Sequence, residues 1–161
     1  MPLISTNLND LTFRINGFAM QVQRELKPGH RERVYQAYLA ELIAAAGLAV
    51  ETEKTIEVYA KDAHIGLMYM DLWVDHQLVV ECKAFDHELS NDDIGQTIAY
   101  MAATGAEVGL LYNFGRTRLE WKRILPPRNI QDWHPSIVRH IWSPPGTAAI
   151  DPTSPLRFMV A

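Results

Sequence analysis

A chain of 161 residues can bury one sizeable core but is too short for two. Hydrophobic residues make up 48% and charged residues 21%, the balance of a globular protein rather than a disordered one. The net charge of −4 argues against coating nucleic acid through bulk charge, and the single cysteine, Cys82, excludes an internal disulfide or a four-cysteine cluster. The opening residues MPLISTNLND lack the basic start and apolar run of a secretory leader, and no stretch approaches the roughly 20 apolar residues that span a bilayer. The expected setting is cytoplasmic, without a membrane partner.

Leu11, Ile15, Phe18, Val22 and Leu26 recur at helical spacing and predict a helix over residues 8–26, stopped by Lys27-Pro28-Gly29. A second helix is expected over 30–46, with Val34, Tyr38, Leu39, Leu42, Ile43 and Ala46 inward and Gly47 as its stop. The period then changes to two, predicting strands over 52–60, 66–74 and 78–85. A third helix over 93–103 would be capped by Asn91 or Asp92 and closed by Gly105. A buried strand at 108–114 and a further strand at 117–125 complete a mixed α/β core. Prolines become frequent beyond Pro126, so residues 1–125 are read as the folded domain and 126–161 as an extension packing on or trailing it.

The chemistry concentrates in Met70 to Lys83. Residues two apart on a strand share a face, so Glu81 and Lys83 point the same way. A two-residue turn at Asp75-His76 would set Asp71 opposite Val80; a three-residue loop, Asp75-His76-Gln77, sets it opposite Glu81. Only the odd loop gathers Met70, Leu72, Val74, Leu78, Val80 and Cys82 on one face and leaves Asp71, Trp73, Val79, Glu81 and Lys83 on the other. Mixing acids with aliphatics would cost a few kcal/mol per unpaired buried group. Two neighbouring carboxylates repel unless a cation intervenes, and a hard divalent ion such as Mg2+, with Mn2+ as an alternative, suits oxygen ligands. Lys83 could then orient or deprotonate a water. The alternative is a surface salt bridge between Lys83 and Asp71 or Glu81.

Gln96 and Tyr100, four apart, share one face of the third helix and could position water or phosphate, or be an exposed amide and a core-edge phenol. Glu32, in the first turn of the second helix, is accounted for by the helix dipole. Arg116, Arg118, Lys122 and Arg123 surround Trp121. They read either as phosphate contacts with a stacking ring or as an edge strand with solvated charges and Trp121 in the core. Asp86, Glu88, Asp92 and Asp93 form an acidic patch, read as helix capping and solvated charge with a second metal as the alternative. The six histidines show no zinc spacing, and Cys82 is expected to be an inert core thiol.

Together, Gly29-His30-Arg31-Glu32-Arg33-Val34-Tyr35, Asp71, Glu81-Cys82-Lys83, Gln96-xxx-Tyr100 and the strand Val108 to Gly115 resemble the PD-(D/E)XK nucleases, in particular the GxxExxY proteins, over residues 8–125. The resemblance implies a restriction-endonuclease-like mixed sheet flanked by α-helices, with Asp71 and Glu81 as metal ligands and Lys83 as the catalytic lysine. By likeness to RecB-like and lambda-exonuclease-like members, it implies Gln96 and Tyr100 beside the site and Glu32 as a further acid near the metal. The motif's usual proline is Met70 here, and with one cysteine no iron–sulfur cluster is expected. The implied function is Mg2+-dependent hydrolysis of DNA, with RNA as an alternative substrate. A homodimer or partner protein is an open expectation. A catalytically silent nuclease fold serving as a nucleic-acid-binding or assembly subunit is the competing reading.

Overall fold

The computed structural model describes residues 2–129, 134–150 and 155–160. Helix α1 (Pro2–Leu26) buries Leu8, Leu11, Ile15, Ala19 and Val22, the stripe expected from their spacing extended by one turn. Lys27 at φ 60 and Gly29 at φ 117 turn the chain into α2 (Glu32–Ala45). The expected face of α2 is rotated: Tyr35, Gln36, Leu39, Ala40 and Ile43 are buried, whereas Val34 is 40% exposed. Tyr35 sets this rotation. Its ring stacks on Phe114 at 5.0 Å, and its hydroxyl donates to the Lys27 carbonyl at 2.6 Å and accepts from the His30 amide at 3.2 Å. Helical periodicity cannot choose between stripes one residue apart; an aromatic body with a bonded polar tip can.

Strands β1 (Val50–Ala60), β2 (Ala63–Val74), β3 (Leu78–Lys83), β4 (Val108–Asn113), β5 (Glu120–Ile124) and β6 (Leu156–Val160) form one six-stranded sheet in the order β5-β4-β3-β2-β1-β6. Among the described residues only β3 and β4 are parallel, joined by a crossover through α3 (Asn91–Thr104). Helices α1 and α2 pack on one face with Leu72, Val74, Leu78, Val80, Cys82, Leu110 and Tyr112. On the other face α3 packs with Trp73, Val79 and Leu111, joined by Ile137 of α4 (His134–Arg139). Among the described residues this is a mixed sheet flanked by four helices, the α/β restriction-endonuclease-like fold.

The odd hairpin loop is present. Val74 pairs with Leu78, Trp73 with Val79 and Leu72 with Val80, a register that sets Asp71 opposite Glu81 one step beyond the last paired residues. Asp75 at φ 53 and His76 at φ 57 make the bend, residue types that tolerate the left-handed region better than most. One residue departs from the expected faces. Met70 packs with the α3 cluster, not with Leu72 and Val74. In the β1–β2 ladder Thr52 pairs with Leu72 and Lys54 with Met70, while the step between them, Glu53 opposite Asp71, drops out. Glu53 sits at φ 52, in the left-handed region, at the step where β2 changes faces.

Beyond Pro126, α4 leads to Trp142, whose backbone exchanges two 2.8 Å hydrogen bonds with Leu67 on the stretch of β2 that β3 does not reach. The chain then adds β6 to the free edge of β1. Residues 130–133 and 151–154 of this extension lie outside the described residues.

The segment leaving β3 lies flat on Gly115. A Cβ there would sit 2.5 Å from the Phe85 amide nitrogen and 2.6 Å from the Ala84 carbonyl carbon, both backbone atoms with little room to move. Gly115→Ala is therefore expected to destabilise the fold by about 1–3 kcal/mol in a thermal melt, and an unchanged midpoint would contradict this packing.

Candidate active site

Asp71 and Glu81 face each other across β2 and β3, and their bonds take over where the β2–β3 ladder ends at Leu72 and Val80. The Asp71 amide donates to Glu81 Oε1 at 2.9 Å, and the Cys82 amide donates to Asp71 Oδ2 at 2.9 Å. Each carboxyl is held by the opposite strand's backbone. Glu81 is 1% exposed, and burial first, then the Asp71 charge, push its carboxyl well above the usual carboxylate range. Asp71 is raised as well, chiefly by burial, against the amide bond from Cys82 and a side-chain bond with Glu81. Both shifts favour the neutral, protonated form, the direction expected of two carboxyls buried side by side.

Lys83, two residues on, shares the face of Glu81 and is half-buried. Its Nζ donates to Gln96 Oε1 at 2.6 Å, and Gln96 Nε2 donates to the Tyr100 hydroxyl at 3.2 Å. Helix α3 presents this row because Ser90 and Asp93 close a capping box at its start and Gly105, at φ 74, ends it. The cap is Ser90, not Asn91 or Asp92 as expected. Tyr100 is 2% exposed, and burial raises its phenol, so it serves as a neutral hydrogen-bonding group. Glu32, half-buried at the start of α2, is raised first by burial and next by the charge of Asp71, with Lys83 opposing. Asp71, Glu81, Lys83, Gln96 and Tyr100 come together from two strands and one helix.

Among the described residues no three His, Cys, Asp or Glu side chains close around one point as a finished metal cage would. The pair of Asp71 and Glu81 nevertheless fits a hard divalent ion in kind. Magnesium is commonly held by one or two carboxylates with water filling the remaining positions. Two buried carboxyls that face each other, each raised by burial, are a donor set that such an ion would relieve.

The basic segment does not form one patch. Arg116 lies 3.6 Å from Glu88 and 3.8 Å from Glu120, and Arg123 donates to Asn9 on α1 at 3.0 Å. Arg118 is exposed, and Trp121, at 39% exposure, is not a core residue. Lys122 pairs with Leu111, which pairs with Glu81, so it shares the carboxylates' face two strand spacings, roughly 10 Å, away. In the acidic patch Asp92 is paired with Arg139 at 2.6 Å, Glu88 with Arg116 and Asp93 with the Ser90 cap. Cys82 is buried with its thiol pushed up, the inert state expected of it.

Three groups near the site escaped the sequence reading. Gln36 donates to the Asp71 carbonyl at 3.4 Å. His140, arriving after α4, lies 3.6 Å from Asp92, one helical turn before Gln96, and burial holds its imidazole below the usual range against the pull of Asp92. Asn113 is fully buried and directly beside Lys83 in the parallel ladder. The signal for Asn113 was a lone amide ending the apolar run VGLLY, since a buried polar side chain has partners to serve.

No curated protein and no solved structure matches the chain. A family model for PD-(D/E)XK nucleases does, over residues 9–124, a span that holds both strands of the acid pair, the lysine and the whole α3 row. With the paired acids, the lysine and the mixed sheet in place, the chain belongs to the PD-(D/E)XK nuclease superfamily.

Proposed function

We propose that the protein is a divalent-metal-dependent nuclease that hydrolyses phosphodiester bonds in DNA, with Asp71 and Glu81 as metal ligands, Glu32 as an auxiliary acid and Lys83 as the catalytic lysine. The observation that carries this reading is the opposition of Asp71 and Glu81 across the hairpin, with Lys83 on the same face two residues along. Superfamily membership supports nuclease chemistry, and the narrower likeness to GxxExxY proteins rests on Gly29, Glu32 and Tyr35.

A bound ion, Mg2+ or Mn2+, supplies Lewis acidity toward a phosphate oxygen and toward water. The chain's own residues do the rest. Asp71 and Glu81, ionised, present oxygens fixed by the Cys82 and Asp71 amides. Lys83 keeps its Nζ beside the acids because Gln96 holds it. Its ammonium orients the attacking water by hydrogen bonding and stabilises the negative charge that grows on the non-bridging oxygens. Water adds to phosphorus, the bond to the 3′ oxygen breaks, and the departing oxygen takes a proton, leaving a 5′-phosphate and a 3′-hydroxyl. Tyr100 holds the Gln96 amide in place. Lys122, on the same face, together with exposed Arg118 and, where their ion pairs open, Arg116 and Arg123, would contact the strand's phosphates.

The test is incubation of the purified protein with single- and double-stranded DNA and with RNA, in Mg2+, in Mn2+ and in a chelator. Cleavage of DNA that appears with either ion and stops with the chelator is expected. Equal cleavage in chelator would remove the metal, cleavage of RNA alone would reassign the substrate, and no cleavage of any substrate would favour a silent fold.

A further inference from the structure

We propose that Asn113 and Glu120 are positioning residues that hold Lys83 against Gln96 by fastening the segment between β3 and α3, an inference that rests on the nuclease reading of the site. Lys83 is the last residue of β3, and Gln96 lies in the second turn of α3. The bond between them can hold a fixed geometry only if residues 84–90 are themselves fixed.

Two side chains from neighbouring strands do this at alternate residues. Asn113 Oδ1 accepts from the Phe85 amide at 2.8 Å and from the Gly115 amide at 3.2 Å. Its Nδ2 donates to the His87 carbonyl at 2.9 Å and to Glu120 Oε1 at 3.1 Å. Glu120, across from Asn113 on β5, accepts from the Leu89 amide with both oxygens, at 3.1 and 3.0 Å. Residues 85, 87 and 89 are thus fastened in turn, and the next residue, Ser90, is the cap of α3. All four hydrogen-bonding valences of the Asn113 amide are used, so the burial of so polar a group is compensated in full. Neither an aliphatic residue nor an aspartate could serve both the Phe85 donor and the His87 acceptor. Because Asn113 adjoins Lys83 in the ladder, a shift in the clamp moves both ends of the Lys83–Gln96 bond.

The experiment compares wild type, Asn113→Asp, Glu120→Gln and the double variant. Asn113→Asp turns a donor into a second acceptor against Glu120, and adding Glu120→Gln restores a donor–acceptor pair there. Each is followed by amide exchange at Phe85 and Leu89, by the Gln96 side-chain amide resonance and by steady-state cleavage with Mg2+. In Asn113→Asp, faster exchange, a displaced Gln96 resonance and a kcat lower by about 10–100-fold with KM within about twofold are expected, with the double variant recovering part of the loss, since the pair with Glu120 is restored and the bond to the His87 carbonyl is not. Glu120→Gln alone, which keeps an oxygen for Leu89, should show the same pattern more weakly and serves if Asn113→Asp does not fold. An unmoved Gln96 resonance, an unchanged kcat despite faster exchange, or a double variant no better than Asn113→Asp would overturn the proposal. If wild type cleaves nothing, the nuclease reading falls, and exchange together with the Gln96 resonance decides the clamp alone.

Discussion

Lys83→Ala is expected to lower single-turnover DNA cleavage by about 10²–10⁴-fold while leaving DNA affinity and the melting temperature nearly unchanged. The side chain is half-buried and its one hydrogen bond goes to Gln96, which keeps Tyr100 as a partner, so little of the fold depends on it. Lys83→Arg should recover only part of the rate, because a planar guanidinium cannot take the place of a compact ammonium 2.6 Å from Gln96. Asp71→Asn should fall as far as Lys83→Ala, but through lost metal affinity, so that raising Mn2+ rescues it in part and does not rescue the lysine variant. Cleavage within threefold of wild type for both variants would mean that the reaction, if present, runs elsewhere on the molecule.

The second large effect concerns stability and has the opposite sign to its effect on activity. Burial and the Asp71 charge raise the Glu81 carboxyl well above the usual range, and burial raises Asp71. In the unfolded chain both groups ionise at ordinary values. Between the ordinary and the raised value the folded state holds protons that the unfolded state has released, so stability in chelator falls as pH rises through that window. Glu81→Gln removes the titration. It keeps an oxygen for the Asp71 amide and offers the Asp71 carboxylate a permanent donor. The metal-free variant should therefore be more stable than wild type at pH 8 by roughly 1–3 kcal/mol, several degrees in the melt, with little difference at pH 4. It should also be inactive, and it should lack the stabilisation by Mg2+ at pH 8 that is expected of wild type. A variant less stable than wild type at pH 8, or one with the same pH slope, would show that the pair is not a strained acid site.

The hairpin register was legible because only one loop length sorts the apolar and charged residues to opposite faces, and that sorting carries an energetic penalty when broken. The closure of α3 at Gly105 was legible for a similar reason, since few residues accept the left-handed cap. Ser90 as the helix start was harder to read, because its box partner is the shorter acid Asp93 and Asn91 and Asp92 compete for the same role. The face exchange at Met70 coincides with a left-handed backbone angle at Glu53, a residue type with no special preference for it. The rotation of α2 depends on Tyr35 meeting Phe114, and the Asn113 clamp on residues brought together from distant parts of the chain. Contacts of this kind have no periodic trace in sequence. The same holds for β6, whose place is set by the free edge of β1.

The most direct test of the central claim is anomalous diffraction from a crystal soaked in Mn2+. One strong peak between the carboxylates of Asp71 and Glu81, with Lys83 still on Gln96, is the predicted result. A map in which the two acids stay hydrogen-bonded to each other and the manganese lies elsewhere, or nowhere, would contradict it.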